Sequence, residues 1–268
     1  MLYQEEGKKK IICKDYLTNP KPTQNNIVPV SLREQNIGSN FAISSSEKEY
    51  FSAISKSTII AGTVHNERID RITEKLISEY VNFCNKYGFS GRIEGMNFQV
   101  NILNLDEWNA LCYAGGQIFV NLGLINESAN DDEIAAVIAH EIAHAISWHT
   151  SEKIYEQYLD YLYLNNAVTT AYQYGGTYFG DKVNSFMSNR FVYDFLYPFS
   201  RDAETEADLI GVVMMARAGY NPYSAIDVWI DKPSRNEYYS THPSPETRVN
   251  DISNFIKSFE FKVLTKYY

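Results

Sequence analysis

The sequence of 268 residues has few cysteines and lacks a long apolar run. Cys13, Cys84 and Cys112 are too few and too far apart for a disulfide framework or a cysteine zinc site, and they suit a reducing compartment. Because about 18 uninterrupted apolar residues are needed to cross a bilayer, the sequence predicts no transmembrane helix. The first thirty residues lack the apolar core of a signal peptide. These absences favour a cytoplasmic protein, or one of the cell envelope if a leader was removed.

An excess of positive charge is also missing, because the net charge is -9. This balance argues against a nucleic-acid-binding surface. The hydrophobic content of 44% and the charged content of 21% are those of a globular protein. Three prolines and neighbouring polar residues predict an extended arm over residues 1–45, followed by one domain over residues 46–268. A short helix is favoured over residues 47–60.

Residues 131–149 have the composition of a helix, rich in alanine and isoleucine and free of glycine and proline. Asn130 or Asp131 can cap its start, and Glu133 adds favourable negative charge in the first turn. An apolar stripe recurs every four residues, at Ile134, Ile138, Ile142 and Ile146. This stripe can be buried in a core while another face of the helix lines a cleft.

That other face carries a His-Glu-x-x-His motif, formed by His140, Glu141 and His144. Side chains four residues apart lie about 40° apart around a helix, so the two imidazoles can converge on one metal ion. Glu141 projects beside them. In a zinc hydrolase, neutral imidazoles hold the metal, water is acidified, and a carboxylate takes its proton. The motif also arises by chance on solvated helix faces, so residues elsewhere in the chain must show whether it binds a metal ion.

A second predicted helix begins near residue 200 and supplies carboxylates at Glu204 and Asp208, which share one face. Glu204 can be the third protein ligand of a catalytic zinc, and Asp208 can accept the other N–H of a ligating histidine. Glu206 is the rival ligand, but it lies on a different face. His149 follows His144 by five residues, about 140° around the helix, and is predicted to point away in a structural role. The alternative is a solvated acidic helix start.

A short strand precedes the motif helix and begins after two glycines. Gly115, Gly116, Gln117 and Ile118 are the candidate residues. The exposed edge of such a strand can pair with an extended peptide and lay it across the metal, and glycines let the peptide backbone approach. A simple hairpin turn explains the glycines almost as well.

Taken together, the motifs resemble the zinc metallopeptidases of the HtpX, Oma and type I CAAX-prenyl endopeptidase group, metallopeptidase family forty-eight. The similarity covers roughly residues 69–256, with motifs at 109–120, 132–135, 140–144, 200–208 and 241–243. The resemblance implies a gluzincin site with one zinc ion on His140, His144 and Glu204, with Glu141 as general base and Asp208 behind a histidine. It also implies a zincin-like α+β fold, mostly helical, with a small sheet. The sequence looks closest to the single-domain members without transmembrane helices.

The predicted function is therefore a zinc endopeptidase that acts on protein or peptide substrates in protein quality control. One alternative is a catalytically silent, zinc-stabilised protein that binds clients, and another is a zinc hydrolase of a non-peptide amide. The resemblance also implies that His242 lies near the zinc. There it can stabilise the oxyanion, or take the fourth zinc position and shut the resting enzyme, which is slightly favoured. The alternative for His242 is a turn residue that caps the following helix.

Overall fold

Helices dominate the computed structural model, which describes residues 4–5, 8–9, 37–154, 165–178, 180–182, 199, 201–230 and 245–265. The named helices are α1 Ile37–Lys56, α2 Val64–Tyr87, α3 Leu122–Glu127, α4 Asp131–Ile146, α5 Arg201–Arg217, α6 Ser224–Val228, α7 Pro245–Ile256 and α8 Phe259–Thr265. With the small sheet described next, they confirm the predicted α+β class. Among the helices that the structure describes, none is both long enough and apolar enough to span a bilayer.

The described strands are short and form two sheets. They are β1 Gln4–Glu5, β2 Lys8–Lys9, β3 Ile59–Ile60, β4 Gln99–Leu103, β5 Ala110–Cys112 and β6 Gln117–Asn121. β1 and β2 pair with each other, whereas the other four strands form one sheet in the order β3-β4-β6-β5. β4 and β6 run parallel, and the two outer pairs are antiparallel. This sheet packs beside α4, because β5 contacts that helix.

The strand predicted to offer an exposed edge is an inner strand of the sheet. In β6, Ile118 lies opposite Val100 of β4 on one side and Cys112 of β5 on the other. All five residues of β6 are buried, as expected of a central strand. The prediction of an edge at Gln117 and Ile118 is therefore wrong, and β5 is the edge strand on that side. Local alternation in sequence cannot reveal strand order, because the order depends on long-range pairing.

The two glycines before β6 belong to the turn that joins it to β5. Gly116 has a φ of 89°, in the left-handed region that glycine enters without strain. Its N–H donates to the Tyr113 carbonyl, and the Tyr113 N–H donates to the Gln117 carbonyl. This geometry favours the hairpin-turn interpretation, and a role of Gly115 or Gly116 in substrate binding stays a prediction.

α4 is the buried centre of the fold. It packs against α2, α5, α6 and β5, and every residue from Glu133 to Ile146 is buried. Its start is capped as predicted, because the Asn130 side-chain oxygen accepts the N–H of Glu133 at 3.0 Å. The isoleucine stripe predicted from the sequence is fully buried in the main core. The core therefore holds α4 on one side while its histidines face α5.

α5 lies close against α4 because a glycine stands at the point of contact. A Cβ added at Gly211 would lie 3.1 Å from the backbone nitrogen of His140, which is tighter than ordinary side-chain contact. With no side chain there, the two helix backbones approach closely. This approach brings the acidic first half of α5 to the histidine face of α4.

α1 starts ten residues before the helix predicted from Glu47, and it ends before β3 begins. Ala42 and Tyr50 are buried, and the Tyr50 ring stacks on Phe119 of β6 with centroids 4.8 Å apart. Contact with the sheet thus supports a longer helix than local periodicity indicates. The predicted division into residues 1–45 and 46–268 stays a prediction.

Candidate metal centre

Three buried side chains from α4 and α5 bring their ligand atoms together. The Nε2 atoms of His140 and His144 are 3.1 Å apart, with Glu204 Oε2 lying 3.5 Å from the first and Glu204 Oε1 lying 3.5 Å from the second. All these atoms lie within 4.8 Å of one another. A tetrahedral zinc site with bonds of about 2.0–2.1 Å places its ligand atoms about 3.3 Å apart. The donor set and its spacing therefore fit a small four-coordinate metal ion.

Glu141 lies on the same helix beside the two histidines and is almost completely buried. Its negative charge affects Cys112 of β5, the edge strand of the sheet. Burial raises the pKa of the Cys112 thiol well above its usual range, and the negative charge of Glu141 raises it further. Cys112 is the last residue of β5, so the charge of Glu141 acts on a buried residue of the edge strand.

Behind His140 lies an ion pair from two other helices. The His140 Nδ1 atom is 3.0 Å from Asp208 Oδ1, and Arg248 of α7 donates two hydrogen bonds to the same carboxylate, at 2.7 and 2.8 Å. Arg248 also lies 3.3 Å from Glu204 Oε2 and stacks 3.7 Å from the Trp229 ring centroid. Asp208 is where the sequence predicts it. Arg248 was missed, because no local pattern shows that α7 packs on α5.

Behind His144 lies the histidine that was predicted to point away. The His149 Nδ1 atom is 3.1 Å from His144 Nδ1, and His149 Nε2 is 3.4 Å from Glu206 Oε2. The predicted direction of His149 is wrong because α4 ends at Ile146 and Trp148 turns the chain with a φ of 66°. Glu206, the rival ligand, contacts His149 and lies outside the cluster of three.

Residues 64–256, well over half of the chain, match peptidase family M48. The chain belongs to peptidase family M48. This membership confirms the resemblance seen in the sequence, and it places the buried cluster within a family of metallopeptidases.

Relatives of this M48 chain include two proteins named mitochondrial metalloendopeptidase OMA1. The one from Arabidopsis thaliana is 35% identical over 164 residues, which is 59% of this chain and 32% of the relative. The one from Saccharomyces cerevisiae is 30% identical over 61% of this chain and 48% of the relative. The beta-barrel assembly-enhancing protease of Escherichia coli is 26% identical over 68% of this chain and 39% of the relative. The M48 chain thus aligns with about a third to a half of the length of these relatives.

The electrostatics of the M48 site differ between its two histidines. Burial and the Arg248 charge lower the pKa of His140, but hydrogen bonds to Asp208 and Glu204 outweigh them and raise it to about 9. Burial holds the pKa of His144 well below its usual range. His144 is therefore neutral, as a ligand must be, whereas a metal ion has to displace a proton from His140.

An aromatic ring covers one histidine of the M48 site. Phe199 stacks on His144 with centroids 4.1 Å apart and ring planes 22° from parallel, and the Lys153 ammonium lies 4.9 Å from the Phe199 centroid. Sequence reasoning missed Phe199, because it belongs to no motif and no regular apolar pattern. His242, the remaining candidate catalytic residue, lies outside the described residues.

Proposed function

We propose that this chain is a zinc-dependent endopeptidase that hydrolyses peptide bonds of protein substrates, with one zinc ion held by His140, His144 and Glu204. The observation that carries the proposal is the convergence of their ligand atoms at 3.1–3.5 Å in a chain of family M48. The relatives' names, metalloendopeptidase and beta-barrel assembly-enhancing protease, support proteolysis in protein quality control. Three ligands and a neighbouring carboxylate favour catalysis over a silent client-binding role.

The chemistry divides among residues of three elements. A bound zinc ion supplies Lewis acidity for the attack of water on a peptide carbonyl. Glu141 takes a proton from the attacking water and delivers it to the leaving nitrogen, so the peptide bond breaks without free acid or base. Among the described strands, β5 pairs only with β6, so its outer edge can hold the substrate in extended form beside Glu141.

Chelator-sensitive cleavage of an unfolded casein tests this function. Wild-type protein should cleave it, lose activity with excess chelator, and recover when zinc is restored. Glu141→Gln should bind one zinc per chain and cleave about 10²–10⁴-fold more slowly, because glutamine keeps the shape but accepts no proton. Glu74→Gln, which changes an exposed carboxylate on α2, is the matched control and should cleave normally.

Two outcomes would count against the proposal. Near wild-type cleavage by the Glu141→Gln protein would remove Glu141 from the base role. Wild-type and His242→Ala proteins that both bind zinc, yet show no chelator-sensitive cleavage of any protein substrate, would favour the client-binding alternative.

His242 enters the proposal as a contact to the zinc site. We expect it to be a self-inhibitory ligand, so that His242→Ala raises the rate of casein cleavage. A loss of about tenfold or more would instead make His242 a donor to the oxyanion. Equal rates and equal zinc affinity for both proteins would leave only the helix-capping role.

A further inference from the structure

Three buried side chains, beginning with His144, contact one another in series and lead away from the metal cluster. His144 contacts His149 through their Nδ1 atoms at 3.1 Å, and His149 contacts Glu206 through its Nε2 atom at 3.4 Å. Their exposed fractions are 1%, 6% and 2%. Water therefore competes little for these contacts, and polar groups buried this deeply are held by their partners.

The metal cluster determines which atom donates and which accepts in both hydrogen bonds. The Nε2 atom of His144 faces His140 and Glu204, so the hydrogen of a ligating His144 must be on Nδ1. That N–H donates to His149 Nδ1, which must then be an acceptor. The hydrogen of His149 is consequently on Nε2, where the Glu206 carboxylate accepts it. Each donor in this series therefore faces an acceptor, because His144 donates to His149 and His149 donates to Glu206.

A strained turn brings His149 to this place. Had α4 continued, His149 would lie about 140° around the helix from His144. Trp148 instead adopts a φ of 66°, and among the described residues it is the one non-glycine residue with a positive φ. Such a conformation is strained and persists where the surroundings enforce it.

Arg92 enforces this turn from two sides. Its guanidinium lies 4.8 Å from the centroid of the Trp148 ring, and its Nη1 donates to the carbonyl oxygen of Ile146 at 3.4 Å. Arg92 is itself buried. The helix end and the turn are thus held together, and backbone strain is kept at the position that redirects His149.

We propose that Glu206 and His149 are positioning residues that fix the tautomer and the ring plane of His144, and that the turn at Trp148 exists to place them. The inference rests on the proposed role of His144 as a metal ligand. Asp208 and Arg248 support His140 in the corresponding way. The two ligating imidazoles are then each held from behind by a separate polar pair, and loss of one partner weakens metal binding by about 10–100-fold.

Zinc affinity, measured by competition with a chromophoric chelator, tests this inference apart from catalysis. His149→Leu fills the space without an acceptor and should weaken zinc binding about 10–100-fold. His149→Asn offers an oxygen close to the Nδ1 position and should recover most of that loss. The control is Glu79→Gln, which alters a buried carboxylate paired with Arg217 at 3.2 Å and should bind zinc as the wild type does.

Nitrogen NMR of histidine-labelled, zinc-loaded wild-type protein gives a second readout, which does not depend on whether the His149 variants fold. It should find the His149 hydrogen on Nε2 and the His144 hydrogen on Nδ1. The reverse arrangement at His149 overturns the inference, and so does a zinc affinity that is unchanged in His149→Leu or lowered equally in His149→Asn. A wild-type chain that binds no zinc overturns the proposed function itself.

Discussion

At the scale of single residues, the surroundings of the two histidines of α4 shift their pKa values in opposite directions. His140 is surrounded by Asp208, Glu204 and Arg248, and its carboxylate partners raise its pKa, whereas burial keeps His144 neutral. Both rings present Nε2 to the same point. His144 can therefore bind a metal ion without losing a proton, whereas His140 must release one. Metal binding should accordingly release protons near neutral pH.

The ligand assignment predicts different results for two neighbouring glutamates. Glu204→Ala should lose zinc almost completely, because a ligand is removed, and so should His140→Ala and His144→Ala. Glu206→Ala should still bind zinc, about 10–100-fold more weakly, because only support behind His144 is lost. Metal content and chelator competition on the purified variants measure this. If Glu206→Ala lost zinc while Glu204→Ala kept it, the assignment would be wrong.

Arg248 is predicted to stabilise the site through both its charge and its shape. Arg248→Met removes the guanidinium that contacts the buried carboxylates of Asp208 and Glu204, and it should lower the free energy of unfolding by up to about 3–5 kcal/mol. Arg248→Lys keeps the charge but cannot form the two parallel bonds to Asp208, so its loss should be smaller. Urea unfolding with excess chelator removes any contribution from metal. Wild-type stability of Arg248→Met would contradict the prediction.

At the scale of elements, polar side chains set the start of α4. Asn130 caps the helix, and the carboxylate of Asp131 accepts hydrogen bonds from Arg68 at 2.6 Å and Arg71 at 2.8 Å. Both arginines belong to α2. The start of the motif helix is thereby tied to α2, which lies between β3 and β4 in the chain.

The ion pairs of Asp131 with Arg68 and Arg71 predict that the stability of the protein depends on pH. Burial raises the pKa of Asp131, but hydrogen bonds and charges from Arg68 and Arg71 lower it more, and the net direction is downward. A lowered folded-state pKa stabilises the protein above the unfolded value of about 3.9, and this contribution is lost as pH falls through the folded value. Asp131→Asn should therefore be about 0.5–1 kcal/mol less stable at pH 7, since the pair is partly exposed.

Urea unfolding of both proteins at several pH values checks this. The difference between wild type and Asp131→Asn should shrink steadily below about pH 4. A difference that stays constant down to pH 3 would show that the carboxylate charge is not what stabilises the helix start.

The elements also show which features a sequence can predict. The cap and buried stripe of α4 follow from spacing within one helix, and so does the shared face of Glu204 and Asp208. The end of α4 was placed too late, because the turn at Trp148 depends on contacts with Arg92. Arg248 and the inner position of β6 depend on packing between distant segments, which periodicity does not encode.

At the scale of the whole molecule, α4 and α5 form the most extensive contact between the described helices, and their backbones approach closely at Gly211. Gly211→Ala should lower the free energy of unfolding by about 1–3 kcal/mol through overpacking, although alanine by itself favours a helix by about 1 kcal/mol. Thermal unfolding measures the effect. Gly91→Ala is the matched control, because a Cβ there meets nothing within 4 Å. Equal stability of wild type and Gly211→Ala would contradict the prediction, because overpacking would then cost no more than the roughly 1 kcal/mol that alanine gains in helix propensity.

The close contact at Gly211 joins two helices whose ends are more than fifty residues apart in the chain, since α4 ends at Ile146 and α5 begins at Arg201. Closing a flexible loop costs only about 0.6 kcal/mol more each time its length doubles. Adding one methyl group at Gly211 is expected to lower the free energy of unfolding by more than one such doubling of length does. Divergence in this fold should therefore proceed by insertion between the ligand-bearing helices, while the glycine where they touch resists replacement.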